Sequence, residues 1–169
     1  MKNQYDFIAE ILTSVKEFRA AVGFGKQENA VHEQLYASES IELLTADSHA
    51  EKADALADMA VVMAGHYLDG KPFYKIEKAL LGLDKQAILN SVNLLEAFKI
   101  VMISNMSKVC PHRFIQPTDR RYFYDNDEYP VHLNWVNRGD LWACYSADDY
   151  PDKPKGKLLK PVTYRAPDW

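Results

Sequence analysis

Apolar residues recur every three to four positions along the first two thirds of the chain, which is the spacing of one face of an α-helix. The pattern predicts five helices, over residues 3–22, 29–46, a third that begins after Asp47 or Ser48 and runs to about Leu68, 72–81 and 84–108. Short loops join them, and antiparallel neighbours are then the economical packing. We therefore expect an all-α fold, a helical bundle.

The break between the second and third helices carries its own signal. Ser48 is followed three positions later by Glu51, the spacing of a capping box that closes a helix N-terminus. Glu51 therefore either completes this cap or belongs to the shell of the metal ion considered below. In the second helix the apolar positions predicted to be buried are Val31, Leu35, Ile41, Leu43 and Leu44.

The pattern changes near residue 110. Seven of the eight prolines follow that point, and alternating apolar residues flank an Asn-Arg-Gly-Asp turn, with Leu133 and Trp135 before it and Leu141, Ala143 and Tyr145 after it. Such alternation around a glycine-containing turn predicts a β-hairpin. We expect a helical domain over 1–110 and a C-terminal extended or β-hairpin appendage over 111–169, packed on the bundle.

Composition narrows the functional class. Hydrophobic residues make up 47% and charged residues 26%, which is typical of a globular protein. A net charge of −4 disfavours nucleic acid as a partner, and no apolar run approaches the roughly 20 residues that span a membrane. With Asp6 and Glu10 near the N-terminus, where a signal peptide is apolar, we expect a cytoplasmic protein. Cys110 and Cys144 are too few for a disulfide framework and are expected to be free thiols.

Two acid pairs point to a metal. Glu39 and Glu42 are three apart on the second helix, and Asp54 and Asp58 are four apart on the third, so each pair shares a helix face. In a helical hairpin the pairs can face each other, and four converging, unprotonated carboxylates in a partly buried site are unstable without a metal ion. Oxygen-only ligands suit Mg²⁺ or Mn²⁺. A di-iron site is excluded because no Glu has His three residues later. The alternative is that both pairs lie on solvated helix faces.

These acids, in "SESIEL" and "EKADALADMAVVMAG", resemble the paired-acid signature of the all-α nucleoside triphosphate pyrophosphohydrolases, the MazG-like and phosphoribosyl-ATP pyrophosphohydrolase-like group. The later segments "ISNMSKV" and "GKLLKPVTYRAPDW" resemble an Asn-Met-Ser-Lys segment and a C-terminal ending of its bacterial and phage-type members. The matches follow the expected order and cover most of the chain.

The resemblance implies that the chain has the all-α fold of that family. It also implies metal-dependent cleavage of a nucleoside triphosphate between its α- and β-phosphates. Carried over by position, the metal ligands are Glu39, Glu42 and Asp58, with Asp54 as the fourth, and the first three are the catalytic acids. The segment around residue 105 implies that Asn105 and Lys108 contact the nucleotide; from sequence alone they equally form an ordinary helix C-terminus. Family members assemble as homodimers or homotetramers.

Three alternatives stay open. The substrate is phosphoribosyl-ATP in one of them. In the second the chain is a catalytically weakened protein that binds a nucleotide or a partner, which is favoured by Ser38 and Ala55, since both stand where the family commonly has acids. A zinc site is the third; its donors would be Cys110, His112, His132 and Cys144, although their spacing is not that of a usual zinc knuckle.

Overall fold

The computed structural model describes residues 4–111, 132–149, 155–161 and 164–169. Five helices lie within these ranges: α1 (Gln4–Val22), α2 (Asn29–Thr45), α3 (His49–Leu68), α4 (Phe73–Leu89) and α5 (Leu94–Met106). Three strands follow: β1 (Cys110–Pro111), β2 (Leu133–Arg138) and β3 (Leu141–Ser146). The predicted mostly helical fold with a β-hairpin near the C-terminus is confirmed.

The chain divides into two compact units. The first comprises Met1–Glu17, Gly25–Met102 and Pro167–Trp169, and the second comprises Phe18–Phe24 and Ile103–Ala166. The second unit therefore takes in the last turn of α1 and the end of α5 as well as the hairpin. The predicted division at residue 110 stays a prediction.

In the first unit α3 is the central helix and packs against both α2 and α4. Small side chains make this close packing possible, since alanines fill most of the buried positions of α3: Ala53, Ala55, Ala57, Ala60 and Ala64. The helix begins at the predicted capping box. Ser48 Oγ accepts from the backbone N–H of Glu51 at 3.1 Å, and Glu51 Oε2 accepts from the backbone N–H of Ser48 at 2.9 Å.

The predicted break between the fourth and fifth helices was wrong. Residues 82–83 lie inside α4, and the helix continues to Leu89 before the chain turns through 90–93. Glycine costs a helix interior about 1 kcal/mol, and burial of Leu80 and Leu83 on either side of Gly82 outweighs that cost. The turn occurs instead at Ser91, whose φ of 59° lies in the left-handed region.

The predicted buried face of α2 was also largely wrong. Leu43 is buried, but Val31, Leu35, Ile41 and Leu44 are exposed, and Leu44 retains 84% of its accessible surface. The buried side chains of α2 are His32 and Leu43. Glu39 lies seven residues after His32 and four before Leu43, so these three share one stripe of the helix. That stripe faces α3, where the ring of His32 stacks on that of His66.

The second unit contains an antiparallel hairpin, in which β2 pairs with β3 from Leu133↔Ser146 to Arg138↔Leu141. Gly139 forms the turn with φ of 65°, and β1 pairs with the other edge of β3. Backbone bonds also tie the chain around Leu159 to β3, through Leu159 N–H to the Cys144 carbonyl at 2.8 Å. The predicted hairpin around the Asn-Arg-Gly-Asp turn is confirmed.

The last turn of α1 belongs to the same unit. The Tyr145 hydroxyl donates to the Val22 carbonyl at 2.7 Å in a buried hydrogen bond, and the Tyr145 ring packs edge-on to Phe24. Gly23, between them, has φ of 71°, and a Cβ there would come within 2.7 Å of Val136. Glycine is therefore required at this position both by backbone conformation and by the close approach of β2.

Among the described residues, no single helix has both the length and the apolar character needed to cross a membrane. Only the consecutive helices α4 and α5, taken together and bent by 104°, reach that length and composition.

Candidate functional site

The α2–α3 hairpin carries the acidic cluster, which we define as Glu39, Glu42, Asp54 and Asp58. Glu39 occupies the middle of the inward stripe of α2, so its side chain is partly buried. Asp54 and Asp58 lie one turn apart on α3, both partly buried, within the helix that packs on α2. The two predicted acid pairs therefore belong to two helices in direct contact.

The charges of the other three acids act on the Glu39 carboxyl group. Burial first, and then the charges of Asp58, Glu42 and Asp54, raise the pKa of Glu39 from 4.5 to about 8. Its Oε2 atom is buried and has no hydrogen-bond partner. A buried carboxylate oxygen without a donor is costly in free energy unless a proton or a cation neutralises it.

Glu42 and Asp54 also line a small open pocket of about 230 Å³ at the turn between α2 and α3. Its lining includes Asp47 and Glu51. Glu51 Oε2 accepts the backbone N–H groups of Asp47 and Ser48, at 2.8 and 2.9 Å, and these bonds lower its pKa. Glu51 is thus engaged as a cap, whereas Glu42 and Asp54 face the pocket.

The donor set fits a hard divalent cation, because it consists of carboxylate oxygens and includes one buried oxygen without a partner. In the described part of the chain, no three His, Cys, Asp or Glu side chains already stand where they could hold one ion. Ion binding would therefore require these side chains to converge.

Asn105 and Lys108 belong to the second unit. Asn105 is buried, and its Oδ1 accepts a hydrogen bond from Lys108 Nζ at 2.6 Å. Lys108 lies two residues beyond the end of α5, near the helix C-terminus where a cation is favoured by the helix dipole. This contact is compatible with the structural role considered for both residues, and their role in nucleotide binding stays a prediction.

The two later segments of the resemblance contact each other within the second unit. The backbone N–H of Arg165 donates to Ser107 Oγ at 2.8 Å, and Ser104 Oγ donates to the Tyr164 hydroxyl at 3.4 Å. Tyr164 and Arg165 of "GKLLKPVTYRAPDW" thus pack on "ISNMSKV".

Part of the zinc hypothesis lies outside the described residues, which do not include His112 or the side chain of Cys110. His132 Nδ1 lies 2.7 Å from Asp148 Oδ2. Burial raises the pKa of the Cys144 thiol to about 12, which opposes the thiolate form that zinc binds.

Sequence reasoning missed a histidine cluster at the far end of the same hairpin. His32 is 2% exposed, and its Nε2 lies 2.7 Å from Asp69 Oδ2. Its ring stacks on that of His66, with centroids 4.6 Å apart. The position of His32 seven residues before Glu39 was a usable signal, because it places both on one face of α2.

Comparisons of the chain with protein-family models, with curated proteins and with solved structures find no match. Functional inference consequently starts from the acidic cluster and the contacts around it.

Proposed function

We propose that this protein is a metal-dependent nucleoside triphosphate pyrophosphohydrolase of the all-α, MazG-like type, with Mg²⁺ or Mn²⁺ held by the acidic cluster. The observation that carries the proposal is the placement of Glu39 on the inward stripe of α2, with a buried, unpartnered carboxylate oxygen beside the acids of α3. A glutamate at such a position weakens the helix packing. It is explained most simply by a bound cation.

The reaction would be attack of a water oxygen on the α-phosphorus. A P–O bond to the α-phosphorus forms, the bond from the α-phosphorus to the oxygen bridging to the β-phosphorus breaks, and pyrophosphate leaves with that oxygen. The water gives up its protons to a base and to solvent. When bound, a divalent ion would neutralise the phosphate charge and position the oxygens. The chain contributes the four carboxylates and the rigid hairpin that holds them.

Glu39 is the acid on which the rest of the cluster acts, because burial and the charges of Asp58, Glu42 and Asp54 raise its pKa in the metal-free protein. A bound cation would oppose that rise, since a positive charge favours the ionised carboxylate. Asp58, whose charge is the largest electrostatic influence on Glu39, is the paired acid on the facing helix. Following the family resemblance, we assign Glu39, Glu42 and Asp58 as the catalytic acids, and Asp54 as a further metal ligand.

The exposed apolar face of α2 supports assembly of identical chains. Ile41 and Leu44 lie three residues apart on α2 and are both largely exposed, so together they form a small apolar surface. Clustered exposed apolar residues mark interaction surfaces, and the homodimer or homotetramer implied by the family resemblance would cover them. Light scattering on wild type and Ile41→Glu tests this: the proposal expects a dimer or tetramer that the substitution dissociates, and a wild-type monomer contradicts it.

The activity test is release of pyrophosphate from a panel of ribo- and deoxyribonucleoside triphosphates with Mg²⁺, with Mn²⁺ or with EDTA. Wild type is compared with Asp58→Asn and with the control Asp84→Asn, an acid of α4 outside the cluster. We expect metal-dependent release of pyrophosphate that falls at least about 100-fold in Asp58→Asn, because the transition-state charge loses part of its support, and that persists in the control.

Three outcomes of this assay would reject or change the proposal. Orthophosphate as the product would place the cleavage at a different bond. Turnover of phosphoribosyl-ATP alone would keep the site and change the substrate. A folded protein without turnover of any of these compounds would favour the binding-protein alternative.

A further inference from the structure

A second pocket lies at the end of the α2–α3 hairpin opposite the acidic cluster. It has a volume of about 520 Å³ and is formed where the segment that enters α2 meets the segment that leaves α3. Three basic side chains line it: Lys26, His66 and Lys71. We call it the Lys26–Lys71 pocket. All of its lining residues belong to the first unit.

The acids that line this pocket do not cancel its basic character. Asp69 is 6% exposed, and its Oδ2 already accepts from the backbone N–H of Gln27 at 3.2 Å and contacts His32 Nε2 at 2.7 Å. Its charge is therefore directed into the wall. Glu28 is exposed at the start of α2, where its side chain can turn to solvent. The buried Asp69–His32 pair makes the wall a fixed structure.

Two donor groups of the lining contact the same amide oxygen, Asn29 Oδ1. Asn29 Oδ1 lies 2.5 Å from His66 Nε2 and 3.4 Å from Lys71 Nζ. An ammonium group has three donors, so this contact leaves donor capacity on Lys71. His66 is held in place from behind by the stacked ring of His32.

Two helices also begin at this pocket, because the N-cap residues Glu28 of α2 and Pro72 of α4 both line it. Neither N-terminus has a side-chain cap. Helix N-termini carry partial positive charge and favour anions. The two helix N-termini add to the positive field of Lys26 and Lys71, and these lysines are the main reason to expect an anion in the pocket.

We propose that the Lys26–Lys71 pocket binds a phosphate or pyrophosphate anion. The anion would accept from Lys26 and Lys71 and would lie beside the His66 ring, whose Nε2–H donates to Asn29 Oδ1. Two sources could supply this chemistry: a free anion, or the phosphate chain of a nucleotide. His32 precedes Glu39 by seven residues and His66 follows Asp58 by eight, so the pocket lies about 10 Å along the hairpin from the acidic cluster. Only the nucleotide source rests on the proposed function.

The test uses inorganic pyrophosphate as the probe, with EDTA present, in calorimetric titrations of wild type, Lys26→Gln, Lys71→Gln and the control Lys85→Gln. Lys85 is an exposed lysine of α4 that does not line the pocket. We expect saturable binding that weakens about tenfold in each pocket variant, since hydrogen bonds to charged groups contribute most to such affinities. The control and Asp58→Asn should bind like wild type.

A second readout reports on the pocket directly. Burial, His32 and Lys71 lower the pKa of His66, while Glu33 and Asp69 raise it. A bound anion adds a negative charge beside the ring, so the His66 proton resonances should titrate at higher pH when pyrophosphate is present, and His66→Gln identifies those resonances.

Several results would overturn the proposal. These are absence of saturable binding to wild type, equal affinity of Lys71→Gln and wild type, and loss of binding in Asp58→Asn, which would move the site to the acidic cluster. Repeating the titration with a nucleoside triphosphate separates the two sources. If the pocket serves a nucleotide, Lys71→Gln raises KM for hydrolysis; if it serves a free anion, KM stays the same while pyrophosphate binding weakens. Failure of hydrolysis alone leaves the EDTA titration unaffected.

Discussion

Replacing Glu39 with Gln should stabilise the metal-free protein at alkaline pH. A carboxyl whose pKa is raised on folding keeps its proton in the folded chain when the unfolded chain has released it. The free energy of unfolding then falls as pH rises from about 4.5 to about 8, and the loss is complete above the folded-state value. Gln cannot ionise, so Glu39→Gln avoids this loss.

The magnitude follows from the size of the shift. From 4.5 to about 8 the pKa difference corresponds to about 5 kcal/mol at most. Glu39 is only partly buried, and solvent screening reduces the effect, so we expect about 2 kcal/mol. Wild type and Glu39→Gln should have nearly equal stability at pH 4 and differ by about 2 kcal/mol at pH 9.

Urea unfolding followed by far-ultraviolet circular dichroism, at several pH values between 4 and 9 with EDTA, measures the difference. Glu17→Gln removes an exposed carboxylate from α1 and serves as the control. If the gain of Glu39→Gln at pH 9 does not exceed that of the control, Glu39 is not held in the environment described here. Adding Mg²⁺ should then stabilise wild type, by about 3 kcal/mol at a hundredfold excess over Kd, and leave Glu39→Gln little changed.

Three further predictions concern stability and can be checked by the same urea unfolding. Gly23→Ala should lower the free energy of unfolding by about 2–3 kcal/mol, because alanine is strained at positive φ and its Cβ meets Val136. An unchanged unfolding midpoint would contradict the close approach. Ser48→Ala should lower the free energy of unfolding by about 1 kcal/mol, because it removes a cap of α3. Ser48→Asp should keep most of the wild-type stability, because aspartate also caps helices. Leu80→Ala should lose about 2–5 kcal/mol by opening a cavity at a fully buried site, and a loss below 1 kcal/mol would refute that packing.

The helices and the hairpin could be predicted from sequence because their signals are local. The capping residues Ser48 and Glu51 and the turn glycine Gly139 act within a few positions of themselves. The extent of α4 could not be predicted, since it depends on burial of Leu80 and Leu83 by other elements, which overrides the cost of Gly82.

The site divides in the same way. Spacing within each helix was sufficient to pair Glu39 with Glu42 and Asp54 with Asp58, because acids one turn apart share a face whatever surrounds them. It could not show that the inward stripe of α2 contains His32 and Glu39, since apolar residues are ordinarily the buried ones. The histidine cluster depends on His32 and His66 meeting across two helices, which only tertiary packing decides.

The buried hydrogen bond from Tyr145 to the Val22 carbonyl has a consequence for synthesis of the chain. Its two residues are 123 positions apart, and a ribosome needs on the order of 10 s to cover that distance. Until then the end of α1 lacks the hairpin against which it packs, while the α2–α3 hairpin can already form from nearby residues. Contacts this distant in sequence slow folding. We therefore expect the last turn of α1 to fold after the rest of that helix. Until then it should stay exposed to proteases and chaperones.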